Sequence, residues 1–533
     1  MAATVERPTG DSEPGPTVEG APPPEAAAVG ALPVESPTGT EKVRTTRQWV
    51  GIPLGPVLAV LVYLLLPGDG SLPEAGRVTA AIVTLVAVWW MTEALPLPAT
   101  ALVPIVAFPL AGVLEIGEAT AAYGDANIFL FLGGFAIALA MQRWNLHRRI
   151  ALVTMRAFGT RPTRLVLGIM VATAFLSMWV SNTATALMML PIAISVLGLV
   201  TGSGDDDRDV RRFGTCLMLA VAYSASIGGL GTLIGSPPNV IMAGVMEQSY
   251  DVEVSFAGWM SVGVPLAAVF VVVAWLVLTR VMFRTGMTEI AGGRGVIKDE
   301  LSKLGRMSRG EVTVAVIFVV TALLWVFRQP MADAAWLVAA FPFVAQLSDA
   351  GIAMAAVVAL FLVPVSRRRG VAALDWPTVQ RGVPWGVLLL FGGGLAIAAA
   401  IQASGLDEWI GTQFEGLAVL PTVLLVAAVT LGVLLLTEIT SNTATAATFL
   451  PVLAGVATGI GVDPLLLLLP AAMAATCAFM LPVGTPPNAI VFGTGRVTIG
   501  EMLRAGVVLN VLGVLLITAA VYLLGPWVLG IAL

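Results

Sequence analysis

Long apolar runs alternate with short polar joints along most of the chain. Runs near 48–66, 76–94, 97–113, 126–142, 214–245, 260–283, 311–327, 349–365, 385–403, 464–492 and 506–528 read as membrane-crossing helices, which need roughly 20 mostly apolar residues. Two further apolar stretches, 165–200 and 420–460, break the pattern. Each carries the polar hexamer SNTATA near its middle, at 181–186 and 441–446, with a proline five residues on (Pro191, Pro451). The pattern predicts an all-α polytopic membrane protein. Composition agrees, since 57% of residues are hydrophobic and 11% charged, against about 25% charged in soluble proteins.

The 28 Lys and Arg residues orient the runs. Basic residues concentrate in cytoplasmic loops. With the N-terminus inside, the six arginines of 143–164 and the three that follow 207 (Arg208, Arg211, Arg212) all belong on the cytoplasmic side. One crossing between them would separate them, so 165–200 must enter and return on the same face. The loop before 420 holds Asp407, Glu408 and Glu415 but no Lys or Arg, while Arg496 and Arg504 follow one crossing later. The stretch 420–460 must therefore re-enter from outside. This assignment makes 26 of the 28 basic residues cytoplasmic, leaves Arg77 and Arg328 outside, and puts the C-terminus outside. It gives about eleven transmembrane helices and two re-entrant helical hairpins.

The hairpins belong to a longer repeat. FLGGFAIALAMQRWNL (131–146) and FGGGLAIAAAIQASGL (391–406) share nine of sixteen positions at the same offset of 260 that separates the hexamers. Further on, GSPPN (235–239) matches GTPPN (484–488) at an offset of 249, the difference lying in a polar insert around 202–212. One hairpin opens inside and the other outside, so the halves form an inverted-topology repeat. Such repeats bind substrate near the midplane at discontinuous helices. The paired prolines Pro237–Pro238 and Pro486–Pro487 remove backbone donors and cannot continue a helix. The Gly before and the Asn after them favour non-helical backbone. Unwound backbone at membrane depth survives only where it lines a cavity or is buried in protein.

Hydroxyls and amides at the tips donate to anions and accept cations, and helix N-termini exposed at a break favour anions. No Lys, Arg or His lies within 165–207, 213–279 or 382–495. A multivalent anion bound there meets no cationic side chain, and desolvating it uncompensated costs several kcal/mol per charge. A cation must come with it. Oxygen-only surroundings suit a hard ion such as Na⁺.

Paired SNT motifs, G-[ST]-PPN in each half, WWMTEALPLPATAL (89–102) and TEITSNTATAA (437–447) together resemble the divalent anion/sodium symporter family, from about 48 to the C-terminus. The resemblance implies sodium-coupled symport of di- or tricarboxylates of the succinate, malate and fumarate class, or of sulfate. Some relatives are sodium-independent dicarboxylate exchangers. It also implies a homodimer with elevator-type scaffold (48–164, 311–415) and transport domains (165–310, 416–533). Carried over by motif, a first sodium site uses Ser177, Ser181, Asn182 and backbone at Gly235, and a second uses Thr437, Thr440, Asn442 and backbone at Gly484. Substrate oxygens meet Ser181, Asn182, Thr183, Ser441, Asn442 and Thr443, with Ser236 and Thr485 at the unwound breaks. The residues before the hexamers differ, SMWV against TEIT, so the two sodium sites can differ in affinity. Glu438 reads as a proton relay or as a residue that orients the second site, or else as a carboxylate satisfied by buried amides; Glu93 reads as a scaffold contact.

The remaining chain adds less. Residues 1–47, rich in Pro, Gly, Ala and Glu, read as a disordered cytoplasmic tail rather than a secretory signal. The segments WNLHRRIALVTMR and IKDELSKLGRMSR suit helices along the cytoplasmic surface, as arms or as headgroup anchors. Nothing in the sequence resembles an enzyme's nucleophile–base pair, metal cluster or phosphate loop, or a nucleic-acid surface. Three Lys against 25 Arg hint at a GC-rich bacterial source, and so at the inner (plasma) membrane.

Overall fold

The structure, a computed structural model, describes residues 44–159, 161–200, 207–284, 287, 293–366 and 370–532, almost all of them helical. Most of the expected tail (1–43), part of the polar insert (201–206) and Arg367, Arg368 and Arg369 lie outside the described residues. Helix Thr46–Leu65 starts inside the last residues assigned to the tail, because Thr45 and Gln48 cap it reciprocally. Nine helices among the described residues are long and apolar enough to cross a membrane, and five shorter apolar helices accompany them.

Several expected runs are divided. The run 97–113 is two pieces, Leu97–Thr100 and Val103–Leu110, in a stretch punctuated by Pro96, Pro98, Pro104 and Pro109. The run 214–245 is Asp207–Gly228 and Pro237–Tyr250, and 464–492 is Leu465–Thr476 and Pro486–Phe492, so both G-[ST]-PPN motifs do interrupt helices. Each SNTATA stretch is two helices meeting at a four-residue break. The pairs are Pro162–Ser177 with Asn182–Val200 and Thr422–Thr437 with Asn442–Ile460, and all four boundaries repeat at an offset of 260. A two-stranded ribbon, Pro364–Ser366 against Val371–Ala372, was not anticipated.

Both arginines expected outside are neutralised locally. Arg77 pairs with Glu74 at 2.8 Å and lies 4.4 Å from the Tyr63 ring centre. Arg328 pairs with Asp349 at 2.8 Å and with Glu253. The two expected surface segments form helices Leu146–Arg156 and Gly293–Leu304 that hold each other. Arg148 bridges to Glu300, and Arg149 reaches Glu311 at 2.7 Å and the carbonyl of Gly305 at 3.0 Å. The Lys303 ammonium and the Arg148 guanidinium keep the Glu300 carboxyl below its ordinary range.

Lipid offers little hydrophobic drive between helices, so close backbone approach does much of the packing. Helix Leu406–Phe414 lies against the outer limb of the second tip, where a Cβ on Gly459 would fall 1.7 Å from Gly411 Cα. In the first half, a Cβ on Gly228 would fall 2.3 Å from the Ala174 carbonyl oxygen. Gly459→Leu should therefore force the two backbones apart, at a cost of about 1–3 kcal/mol or more. A lowered melting temperature and poorer monodispersity of the purified protein is the expected outcome; an unchanged melt would show that the seam is looser than this.

Candidate functional site

The two hairpin tips are built alike. Ser177, at the end of its helix and fully buried, donates its hydroxyl to Asn182 Oδ1 at 2.7 Å. Thr437, equally buried, donates to Asn442 Oδ1 at 2.6 Å, and its hydroxyl lies 2.9 Å from the Ala475 carbonyl oxygen. Each bond spans the four-residue break and fixes the amide that begins the next helix. Gly229 lets Asn182 approach the first broken helix: a Cβ there would stand 2.8 Å from Asn182 Oδ1 and 3.2 Å from the Gly235 carbonyl oxygen. In the second half a Cβ on Gly484, the counterpart of Gly235, would stand 3.2 Å from the Glu438 carbonyl oxygen.

The broken helices carry a matching brace. Asn239 Nδ2 donates to the carbonyls of Gly229 and Thr232, each at 2.8 Å. Asn488 Nδ2 donates to the carbonyls of Ala478 and Leu481, each at 3.0 Å. The offsets, ten and seven residues back, are the same in both halves. These asparagines sit in the first turn of their helices, so the expectation that they favour non-helical backbone needs correcting. Their amides instead span the unwound segment and satisfy two carbonyls that a helix stopping in lipid would leave bare. Pro237 and Pro486 take the first helical position, where a missing N–H costs nothing.

The motif residues divide into groups. Ser177, Asn182, Gly229 and Gly235 converge in one half, and Thr437, Asn442, Glu438 and Gly484 in the other. Ser181, Asn182, Thr183, Ser441, Asn442 and Thr443 are half-buried, while Ser236, Gly235, Thr485 and Gly484 are buried. Ser236 Oγ lies 2.9 Å from Thr476 Oγ1, which joins the break of one half to the break of the other. The Thr485 hydroxyl accepts from Asn488 N at 3.3 Å. Thr440 turns away: its hydroxyl is 2.7 Å from the Leu436 carbonyl and 2.6 Å from Thr445 Oγ1, so its own carbonyl is the group it can offer the site. Glu438 is buried on backbone amides at the second break. Sequence reasoning missed the braces Asn239 and Asn488, the Ala475 carbonyl and Thr476. The PPN motifs contained the first two, but nothing in a motif says which carbonyls an amide will reach.

Residues 48–531 match the model of the sodium:sulfate symporter transmembrane region. The chain belongs to that family. Among its relatives, the sodium-dependent dicarboxylate transporter SdcS of Staphylococcus saprophyticus is 44% identical over 488 residues, 91% of this chain and 92% of that protein. The SdcS of Staphylococcus aureus strain MRSA252 is 43% identical over 496 residues, 92% of this chain and 94% of that protein. Two distant transporters share the fold. One is YdaH of Alcanivorax borkumensis, with TM-score 0.56 and 16% identity over 84% of this chain and 99% of that one. The other is MtrF of Neisseria gonorrhoeae, with TM-score 0.54 and 12% identity over 89% of this chain and 98% of that one.

The equivalence of the two braces is testable in this family member. Asn239→Ala and Asn488→Ala each leave two buried carbonyls without the amide, at about 1–3 kcal/mol per unsatisfied group. Both variants should lose melting temperature to a similar extent in detergent. A loss confined to one of them would mean that the halves are braced differently.

Proposed function

We propose that the protein is a secondary transporter that carries dicarboxylates of the succinate, malate and fumarate class together with Na⁺ across the inner (plasma) membrane. The observation that carries this reading is the repeated tip: a hydroxyl–amide pair, Ser177–Asn182 or Thr437–Asn442, beside an unwound break, in segments free of Lys, Arg and His. An anion there needs an accompanying cation, and neutral oxygens suit Na⁺. The names of the staphylococcal relatives support both the sodium dependence and the substrate class.

In this reading the first sodium binds at Ser177, Ser181, Asn182 and the Gly235 carbonyl. The second binds at Thr437, Asn442 and the carbonyls of Thr440 and Gly484. The substrate lies between the tips, against Ser181, Asn182, Thr183, Ser441, Asn442 and Thr443, with Ser236 and Thr485 below it. Residues 165–310 and 416–533 move as one body against 48–164 and 311–415, in an elevator cycle within a homodimer. The tips are re-entrant hairpins, the N-terminus is cytoplasmic and the C-terminus outside, as the arginine distribution requires. The connections support the division. Helices Leu146–Arg156 and Leu406–Phe414 each follow a single left-handed residue, Asn145 (φ 57°) or Gly405 (φ 68°). The family description favours one second reading, sulfate as the anion.

Uptake of radiolabelled succinate into proteoliposomes, empty or preloaded with succinate, with Na⁺ or with choline in its place, tests the proposal. Uptake should require Na⁺ and fall about tenfold or more in Asn182→Ala and Asn442→Ala, as expected for losing a hydrogen bond to a charged ligand. Uptake that needs internal dicarboxylate but no Na⁺ would make the protein an exchanger. Sulfate uptake in place of succinate would establish the second reading.

A further inference from the structure

The second half of the repeat holds a carboxylate where the first holds a methionine. Glu438 directly follows helix Thr422–Thr437, and Met178 occupies the corresponding place 260 residues earlier. Glu438 is 1% exposed, and both of its oxygens are engaged. Oε1 accepts from Phe479 N at 2.7 Å, Met480 N at 3.0 Å and Asn510 Nδ2 at 2.8 Å. Oε2 accepts from Met480 N at 3.1 Å and Leu481 N at 3.2 Å. Every one of these partners is an N–H donor, so both oxygens serve as acceptors, the role of the ionised form.

Three consecutive backbone amides around one anion form a nest. This nest lies in the break between Leu465–Thr476 and Pro486–Phe492, and Asn488 holds the carbonyls of Ala478 and Leu481 on the same loop. A Cβ on Gly484 would stand 3.2 Å from Glu438 Oε2, so the carboxylate reaches the backbone assigned to the second cation. The first half is arranged otherwise. There the Thr232 hydroxyl donates to the Met178 carbonyl, and no Asp or Glu lies within 165–200 or 213–246.

We propose that Glu438 is the positioning residue of the second cation site. It locks residues 479–481 against the hairpin tip and adds a fixed negative charge that the first site lacks, so the second site holds Na⁺ more tightly. It touches neither cation nor substrate. The inference rests on the sodium-coupled reading above and deepens it, because it makes the two halves of a symmetric repeat electrostatically unequal.

The test uses the full-length protein with Glu438→Gln, Glu438→Asp and Asn510→Ala. Two quantities are read: the Na⁺ dependence of the melting temperature, and the half-saturating Na⁺ and succinate concentrations for uptake. Glu438→Gln should raise half-saturating Na⁺ about tenfold, with the succinate value at saturating Na⁺ shifted by less than about twofold. Glu438→Asp, which keeps the charge, should fall between it and the parent. If Glu438→Gln does not fold, Asn510→Ala decides: it removes one donor, leaves the backbone nest, and should raise half-saturating Na⁺ about two- to threefold. An unchanged Na⁺ titration in the deciding variant, or equal shifts for Na⁺ and succinate, would overturn the assignment. A parent protein whose melting and uptake ignore Na⁺ would overturn the transport reading itself, and this inference with it.

Discussion

Everything in the centre of this protein depends on how a helix can stop inside lipid. Each stop exposes backbone groups that no water is there to satisfy, at several kcal/mol apiece. The chain meets that constraint with one device used twice: an asparagine in the first turn of the second helical piece, reaching ten and seven residues back to the unwound carbonyls. The tips use another, a buried hydroxyl tied to the amide that begins the next helix. Both devices hold the unwound carbonyls and the tip amides within the protein.

The two halves are stitched together at the breaks and along the helices that lead to them. Ser236 meets Thr476 across the breaks, the Tyr223 hydroxyl donates to the Met502 carbonyl at 3.2 Å, and the Thr215 hydroxyl to the Arg496 carbonyl at 3.0 Å. These bonds make the proposed moving unit one body although its parts are far apart in sequence. Helix Leu146–Arg156 is held by ion pairs to Glu300 and Glu311, and helix Leu406–Phe414 by the close approach of Gly411 and Gly459. If cations enter in excess of the anion's charge, each net positive charge gains about 2.3 kcal/mol per 100 mV, and each tenfold sodium gradient about 1.4 kcal/mol per ion.

Much of this was legible in the sequence because it is written in repetition and in charge. The offset of 260 between the SNTATA copies reappears in all four helix boundaries of the two tips, and each PPN motif falls where a helix breaks. The two arginines that disobeyed the charge pattern, Arg77 and Arg328, proved to be paired with neighbouring acids. Illegible were the features set by tertiary distance. Nothing local says that Asn239 reaches Gly229, that Thr440 turns its hydroxyl from the site towards Thr445, or which amides, some forty residues away, satisfy Glu438. The split of 97–113 was missed for a different reason: its prolines were visible, but hydropathy outweighed them.

The segments of the proposed site contain no Lys, Arg or His, so an anion bound there needs a co-bound cation. Equilibrium binding of succinate to the purified protein, measured by calorimetry in Na⁺ and again with choline in its place, tests this most directly. Binding is expected in Na⁺ and none in choline. Binding of equal affinity in choline would contradict it, since the charge of the anion would then be balanced by something other than sodium.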